Sequence, residues 1–194
     1  MADLDRVAPE LLAEARTGNR AAYASLFEVY RRRIGEVAAL LVQEESAAQG
    51  VVEETFARGL ESIPRYSGGA SPELWFLGIA INVRRQQIGG GGRGTDAARP
   101  EKPPVVQDDS VRELRHAMGF LSEAQREVLA LGYRGNLSFD DIGAVLGMHT
   151  LTARTLLDRA KAILEEKRRG DPAPDKIAGV GNPDGVVYQR RVAL

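Results

Sequence analysis

Apolar side chains in this chain return at steps of three and four, the repeat of a helix with one buried face. Residues 138–164 show it most clearly. Ser138 stands three residues before Asp141 and ahead of Ile142, Val145 and Leu146, which reads as a capped helix start. Gly147 supplies the residue without a Cβ that a tight turn wants. Ala153, Leu157, Ala160 and Leu164 then mark a second helix. Two short helices joined around a glycine make a helix-turn-helix corner. Where such a corner meets DNA, the second helix enters the major groove and offers base edges its first residues, here Thr150, Thr152, Arg154 and Thr155. All-α proteins that never touch DNA use the same corner, so the context decides.

Upstream, the pattern predicts four more helices. The first covers residues 9–17, opened by Pro9 where its missing N–H costs nothing. Gly18-Asn19 breaks it and Asn19 caps the next. From Arg20, the positions Leu26, Phe27, Tyr30, Ile34, Val37, Ala38 and Leu41 line one face of a long amphipathic helix. Arg31, Arg32 and Arg33 fall on its other side, a solvated basic cluster. Ser46 is expected to cap a third helix carrying Val52, Phe56, Leu60 and Ile63, which Pro64 ends. After the loop Arg65-Tyr66-Ser67-Gly68-Gly69, the run Ser71-Pro72-Glu73 gives cap, proline and acidic first turn in order. The fourth helix shows Leu74, Leu77, Ile81 and Ile88 on one face, with Trp75 in the core. Asn82, Arg84, Arg85 and Gln86 are spread over the remainder.

Residues 89–109 lose all periodicity and are dense in Gly and Pro, a flexible linker and the clearest boundary in the chain. Gly89 and Gly94 match the outer glycines of a phosphate loop, but Thr95 stands where its Lys is required, and no strand precedes it. Beyond the linker, Ser110 with Glu113 and Ser122 with Gln125 form two capping boxes, opening helices over 111–119 and 123–133. The expectation is therefore an all-α fold of two small helical domains. Residues 1–88 form the first, 89–109 the linker and 110–169 the second. A tail follows at 170–194, either disordered or a small hairpin about Asn182-Pro183-Asp184-Gly185.

Composition removes whole classes of chemistry. With no cysteine, thiol catalysis, disulfides and cysteine-ligated zinc are excluded, and two histidines, His116 and His149, make no metal cluster. No cofactor, metal site or catalytic set is expected, and the chain does not read as an enzyme. No apolar run approaches the ~20 residues of a membrane span, and the first residues are acidic rather than signal-like, so a cytoplasmic protein without membrane insertion is expected. The net charge is −1, with a slight acidic excess before the linker and a slight basic one after it. A local basic surface matters more to nucleic-acid binding than the total.

Residue strings in both halves carry a resemblance. Leu121-Ser-Glu-Ala-Gln-Arg-Glu-Val-Leu129, Tyr133, Leu137-Ser-Phe-Asp-Asp-Ile142 and Val145-Leu-Gly147 resemble domain four of the sigma-70 family of RNA polymerase sigma factors, extracytoplasmic-function (ECF) group. Glu53-Glu-Thr-Phe56, Pro64-Arg-Tyr66, Leu74-Trp75, Ile79-Ala80 and Asn82 resemble its domain two. The resemblance spans roughly 8–88 and 110–168 and leaves the tail outside. It implies a bacterial transcription-initiation factor that binds core RNA polymerase and promoter DNA and is controlled by an anti-sigma factor. Domain two would meet polymerase through Gln49, Glu53 and Glu54, and the −10 element through Arg65, Tyr66, Asn82, Arg84 and Arg85. Domain four would set Thr150, Thr152, Arg154, Thr155 and Arg159 toward the −35 groove, where Arg suits guanine edges.

The chain also departs from the family's pattern. Gly50 and Glu53 stand where an acidic residue and then a Gln are usual, and Gln86 where an Asp is frequent. Leu151 and Leu156 replace a Gly and a basic residue, which puts two leucines on the expected DNA-facing surface. An alternative reading follows: a sigma-like regulator without promoter activity that works through protein contacts, for instance by sequestering an anti-sigma factor.

Overall fold

The computed structural model describes residues 4–42, 44–89 and 116–169. Its elements are α1 (Leu4–Arg16), α2 (Arg20–Leu41), α3 (Glu45–Ser62), a 3-10 turn (Ile63–Arg65), α4 (Pro72–Gly89), α5 (Glu123–Tyr133), α6 (Phe139–Leu146) and α7 (Thr150–Arg168). Residues 116–118 are also helical. Among the described residues there is no strand. The linker beyond Gly89, the Ser110–Glu113 box and the tail with its hairpin lie outside the described residues.

Local signals set most helix ends. The Asn19 side chain accepts from the backbone N–H groups of Ala21 and Ala22 and opens α2, after Gly18 turns the chain at φ 93°. Ser122 and Gln125 close both halves of their capping box. Ser138 Oγ accepts from the Asp141 N–H at 3.1 Å and donates to its carboxylate at 2.7 Å. Gly147 takes the left-handed conformation at φ 70°, as expected of the corner.

Two starts need correction. Pro9 lies inside α1, which begins at Leu4, so the helix gives up one backbone bond there rather than none. Ser46 is not a cap: α3 starts at Glu45 after Glu44, which makes no side-chain capping bond.

Helices α1–α4 pack about an aromatic centre. Tyr23, Phe27, Phe56 and Phe76 meet at ring-centroid distances of 5.1–6.4 Å, geometry that adds to simple burial. The Tyr23 hydroxyl donates to the Phe56 carbonyl at 2.7 Å. The expected face of α2 is buried apart from half-buried Tyr30. The buried part of α4 is wider than Leu77 and Ile81 alone, taking in Phe76, Ala80, Val83 and Arg84. Trp75 is half-buried, its ring 4.9 Å from that of Phe76.

Helices α5–α7 form the second group. Ala153, Leu157 and Ala160 of α7 are buried against it, with Leu129, Leu131, Ile142 and Leu146. Gly143 lets the corner close tightly: a Cβ there would sit 2.7 Å from the Met148 carbonyl. The two groups touch, α2 against α5 and α4 against α6.

Candidate nucleic-acid interface

All five residues expected at the −35 groove lie on α7. Its buried stripe fixes the rotation of the helix, and Thr152, Arg154, Thr155 and Arg159 are exposed while Thr150 is half-buried. His149 caps the helix, its Nδ1 accepting from the Leu151 N–H at 3.3 Å. The Thr150 hydroxyl donates to Asp140 Oδ1 at 2.7 Å, tying α7 to α6. Thr155 spends its hydroxyl on the Leu151 carbonyl at 2.9 Å. The Arg154 guanidinium carbon lies 5.1 Å from the centre of the Phe139 ring, a cation–π contact that narrows its directions. Leu151 is 65% exposed, as its place on this surface implied. Leu156 corrects the expectation: it is half-buried and packs against the core.

The residues expected at the −10 element do not form one open face. Arg65 is exposed at the end of α3's 3-10 turn. Tyr66 is buried, its hydroxyl donating to the Ala70 carbonyl and its ring 5.3 Å from Trp75. Burial raises the Tyr66 pKa, against a smaller lowering by Arg16. Arg84 lies far along α4 from this loop, about 18 Å beyond Pro72 at the helical rise of about 1.5 Å per residue.

Arg84 and Arg85 are the larger correction. Arg84 is buried, donating to the Leu41 carbonyl at 3.2 Å and to Glu123 Oε1 at 2.6 Å. Arg85 makes a two-pronged pair with Glu127, Nε to Oε1 at 2.8 Å and Nη2 to Oε2 at 2.7 Å. The Glu127 side chain is only 1% exposed. Burial pulls the Arg84 pKa down while Glu123 pulls it back up. Half-buried Arg33 likewise donates to the Gly135 carbonyl and lies 3.5 Å from Glu73, whereas Arg31 and Arg32 are exposed as expected. Half-buried Asn82 is the remaining member of the set.

The residues expected at polymerase do share a helix, α3. Gln49 Nε2 donates to Glu53 Oε1 at 2.9 Å, and both residues are exposed. Glu54 pairs with Arg58 at 2.6 Å, and Arg58 also donates to Gln86 Oε1 at 2.6 Å. Gln86 thus serves to join α3 and α4. A Cβ at Gly50 would meet nothing within 4 Å.

No protein-family model matches the sequence. The chain is 30% identical over 190 residues to the ECF RNA polymerase sigma factor SigC of Mycobacterium tuberculosis, covering 90% of this chain and 96% of that one. It belongs to the ECF group of RNA polymerase sigma factors. Its fold is that of CnrH, solved in complex with the cytosolic domain of CnrY, with TM-score 0.68 at 22% identity over 86% of this chain and 99% of that one. The sigma factor RpoE of Bartonella quintana, solved in complex with the anti-sigma factor NepR, matches with TM-score 0.56 at 18% identity over 89% and 100% of the two chains.

For this sigma factor, sequence reasoning missed Glu123, Glu127, Phe139 and Asp140 as neighbours of its candidate DNA-facing residues. Glu123 and Glu127 stand four apart on α5, so one face of the helix was legible as acidic. What it faces depends on how the two helical groups meet. Among the described residues, no helix is long and apolar enough to cross a membrane, and no group of His, Cys, Asp and Glu could hold a metal ion.

Proposed function

We propose that this ECF sigma factor divides its work between the two helical groups. Helices α1–α4 bind core RNA polymerase through Gln49, Glu53 and Glu54 of α3, and the −10 element through Arg65, Asn82, Arg84 and Arg85. Helices α5–α7 bind the −35 element through α7. It acts in the cytoplasm by differential recognition, without a catalytic step of its own and without a cofactor. An anti-sigma factor is its regulator, a reading supported by the complexes in which CnrH and RpoE were solved.

The observation that carries the reading is the division of α7 into two faces. Ala153, Leu157 and Ala160 are buried, while Thr152, Arg154 and Arg159 are exposed. An exposed polar face near its start and a buried opposite stripe are what a helix needs to enter a major groove while held by its own domain. Arg154 is the base-reading residue, since a guanidinium can make a two-pronged contact to guanine O6 and N7. Reconstituted transcription tests this. Core RNA polymerase with the purified chain should initiate at discrete sites on DNA from the bacterium that encodes it. Initiation no different from core alone would contradict the proposal.

The non-transcribing regulator is the second reading. Leu151, 65% exposed at the start of α7, supports it, because an apolar side chain there suits a protein partner better than a phosphate. Under that reading, core polymerase fails to initiate with the chain.

A further inference from the structure

Two features meet at the start of α7: an exposed leucine, and a threonine whose hydroxyl is already engaged. At about 3.6 residues per turn, Leu151, Thr155 and Asp158 fall on the side of the helix away from Ala153, Leu157 and Ala160. Those three are buried, while Leu151, Thr155 and Asp158 are all exposed, Leu151 at 65%. The polar groups along the first part of this stripe are spent within the helix. The Leu151 N–H donates to His149 Nδ1 at 3.3 Å, and the Leu151 carbonyl accepts from the Thr155 hydroxyl at 2.9 Å. Thr155 therefore cannot donate to a base or a phosphate without giving up that bond. What the two residues have left to offer is an isobutyl group and, one turn on, a methyl.

We propose that Leu151 and Thr155 form a thymine-reading strip, which selects the C5-methyl groups of thymines in the −35 element. The inference rests on the promoter-binding reading above and goes beyond it in naming the base. In the major groove, thymine alone of the four bases presents a methyl group, and an apolar side chain is its complement. A phosphate suits neither end of the stripe: leucine offers it no donor, and the Asp158 carboxylate repels it. The stripe is thus fitted to base edges. Arg154 and Arg159 flank it with donors, one on each side, and Arg154 is drawn toward the Phe139 ring at 5.1 Å. Leu151 also stands where the family's pattern has a Gly, so this contact is one that the chain's own sequence adds.

The test separates the methyl group from everything else a thymine carries. Duplexes are selected from a pool randomised over the −35 and −10 segments, using the purified full chain bound to core RNA polymerase. Each thymine of the selected −35 segment, on either strand, is then replaced by deoxyuridine, which keeps every hydrogen-bonding group and removes only the methyl. For the native chain, at least one replacement should weaken binding about fourfold, the worth of one buried CH2. Leu151→Ala should bind the thymine and uracil duplexes equally at the position that Leu151 reads. Thr155→Ser, which keeps the hydroxyl, should do the same at a second position. Both are exposed substitutions, so helix content by circular dichroism should not change. Uracil that costs the native chain nothing at every thymine overturns the inference, as does a cost that survives in Leu151→Ala or a selected −35 segment without thymine. A chain that enriches no sequence together with polymerase overturns the promoter-binding reading as well.

Discussion

Two sets of arginines sit on polar faces of helices in this sigma factor, and they meet opposite fates. Arg154 and Arg159 on α7 are exposed, and Arg154 rests over the Phe139 ring. Arg84 on α4 is buried and Arg85 half-buried, each bound to a glutamate of α5. The residue type is the same and so is its chemistry toward a phosphate or a guanine. What differs is whether another helix of the same chain has arrived first. The exposed set stands clear of the other helices' carboxylates, while the buried set is held by those of α5.

Mutations should separate the two sets, and the largest effect belongs to the buried one. Arg85→Ala removes the two-pronged partner of the Glu127 carboxylate, whose side chain is 1% exposed, and leaves Arg84 as the remaining nearby charge. Truncating one partner of a buried pair costs about 3–5 kcal/mol, so chemical denaturation should show a large fall in midpoint. Arg154→Ala should do the converse. Promoter binding should weaken by about 1–3 kcal/mol in a titration against −35 duplex, while the unfolding midpoint stays put, as for most exposed substitutions. Glu123→Gln is intermediate: its side chain is 48% exposed and water shares the pairing, so the stability loss should be about 1 kcal/mol at most. Arg31→Ala should be smallest, within about 0.5 kcal/mol by thermal unfolding, because its pair with Glu28 is exposed on both sides. A large stability loss from Arg154→Ala, or none from Arg85→Ala, would erase the contrast.

The same contrast explains what could be read from the sequence. Caps, turns and periodic apolar positions are local, so Asn19, Ser122, Ser138 and Gly147 gave their helix ends directly, and the buried stripes of α2 and α7 fell where the spacing put them. Ser46 misled because a serine near a helix start need not be the capping residue, and here the chain turns at Glu44. Burial of Arg84 was not legible. Periodicity sorts residues into apolar and polar faces, and an arginine on the polar face reads as solvated until a second polar face is docked on it. Leu156 shows the limit in the other direction. The family pattern puts it on an exposed surface, yet α7 is gripped widely enough for it to pack. The resemblance implied a set of positions; the tertiary contacts decide which of them are exposed.

The measurement that bears most directly on the account is size-exclusion chromatography of the purified full chain with core RNA polymerase at micromolar concentration. The account predicts a stoichiometric complex, held through α3 by Gln49, Glu53 and Glu54 even with Gly50 in place. Separate elution of a folded, helical chain and the polymerase would contradict it.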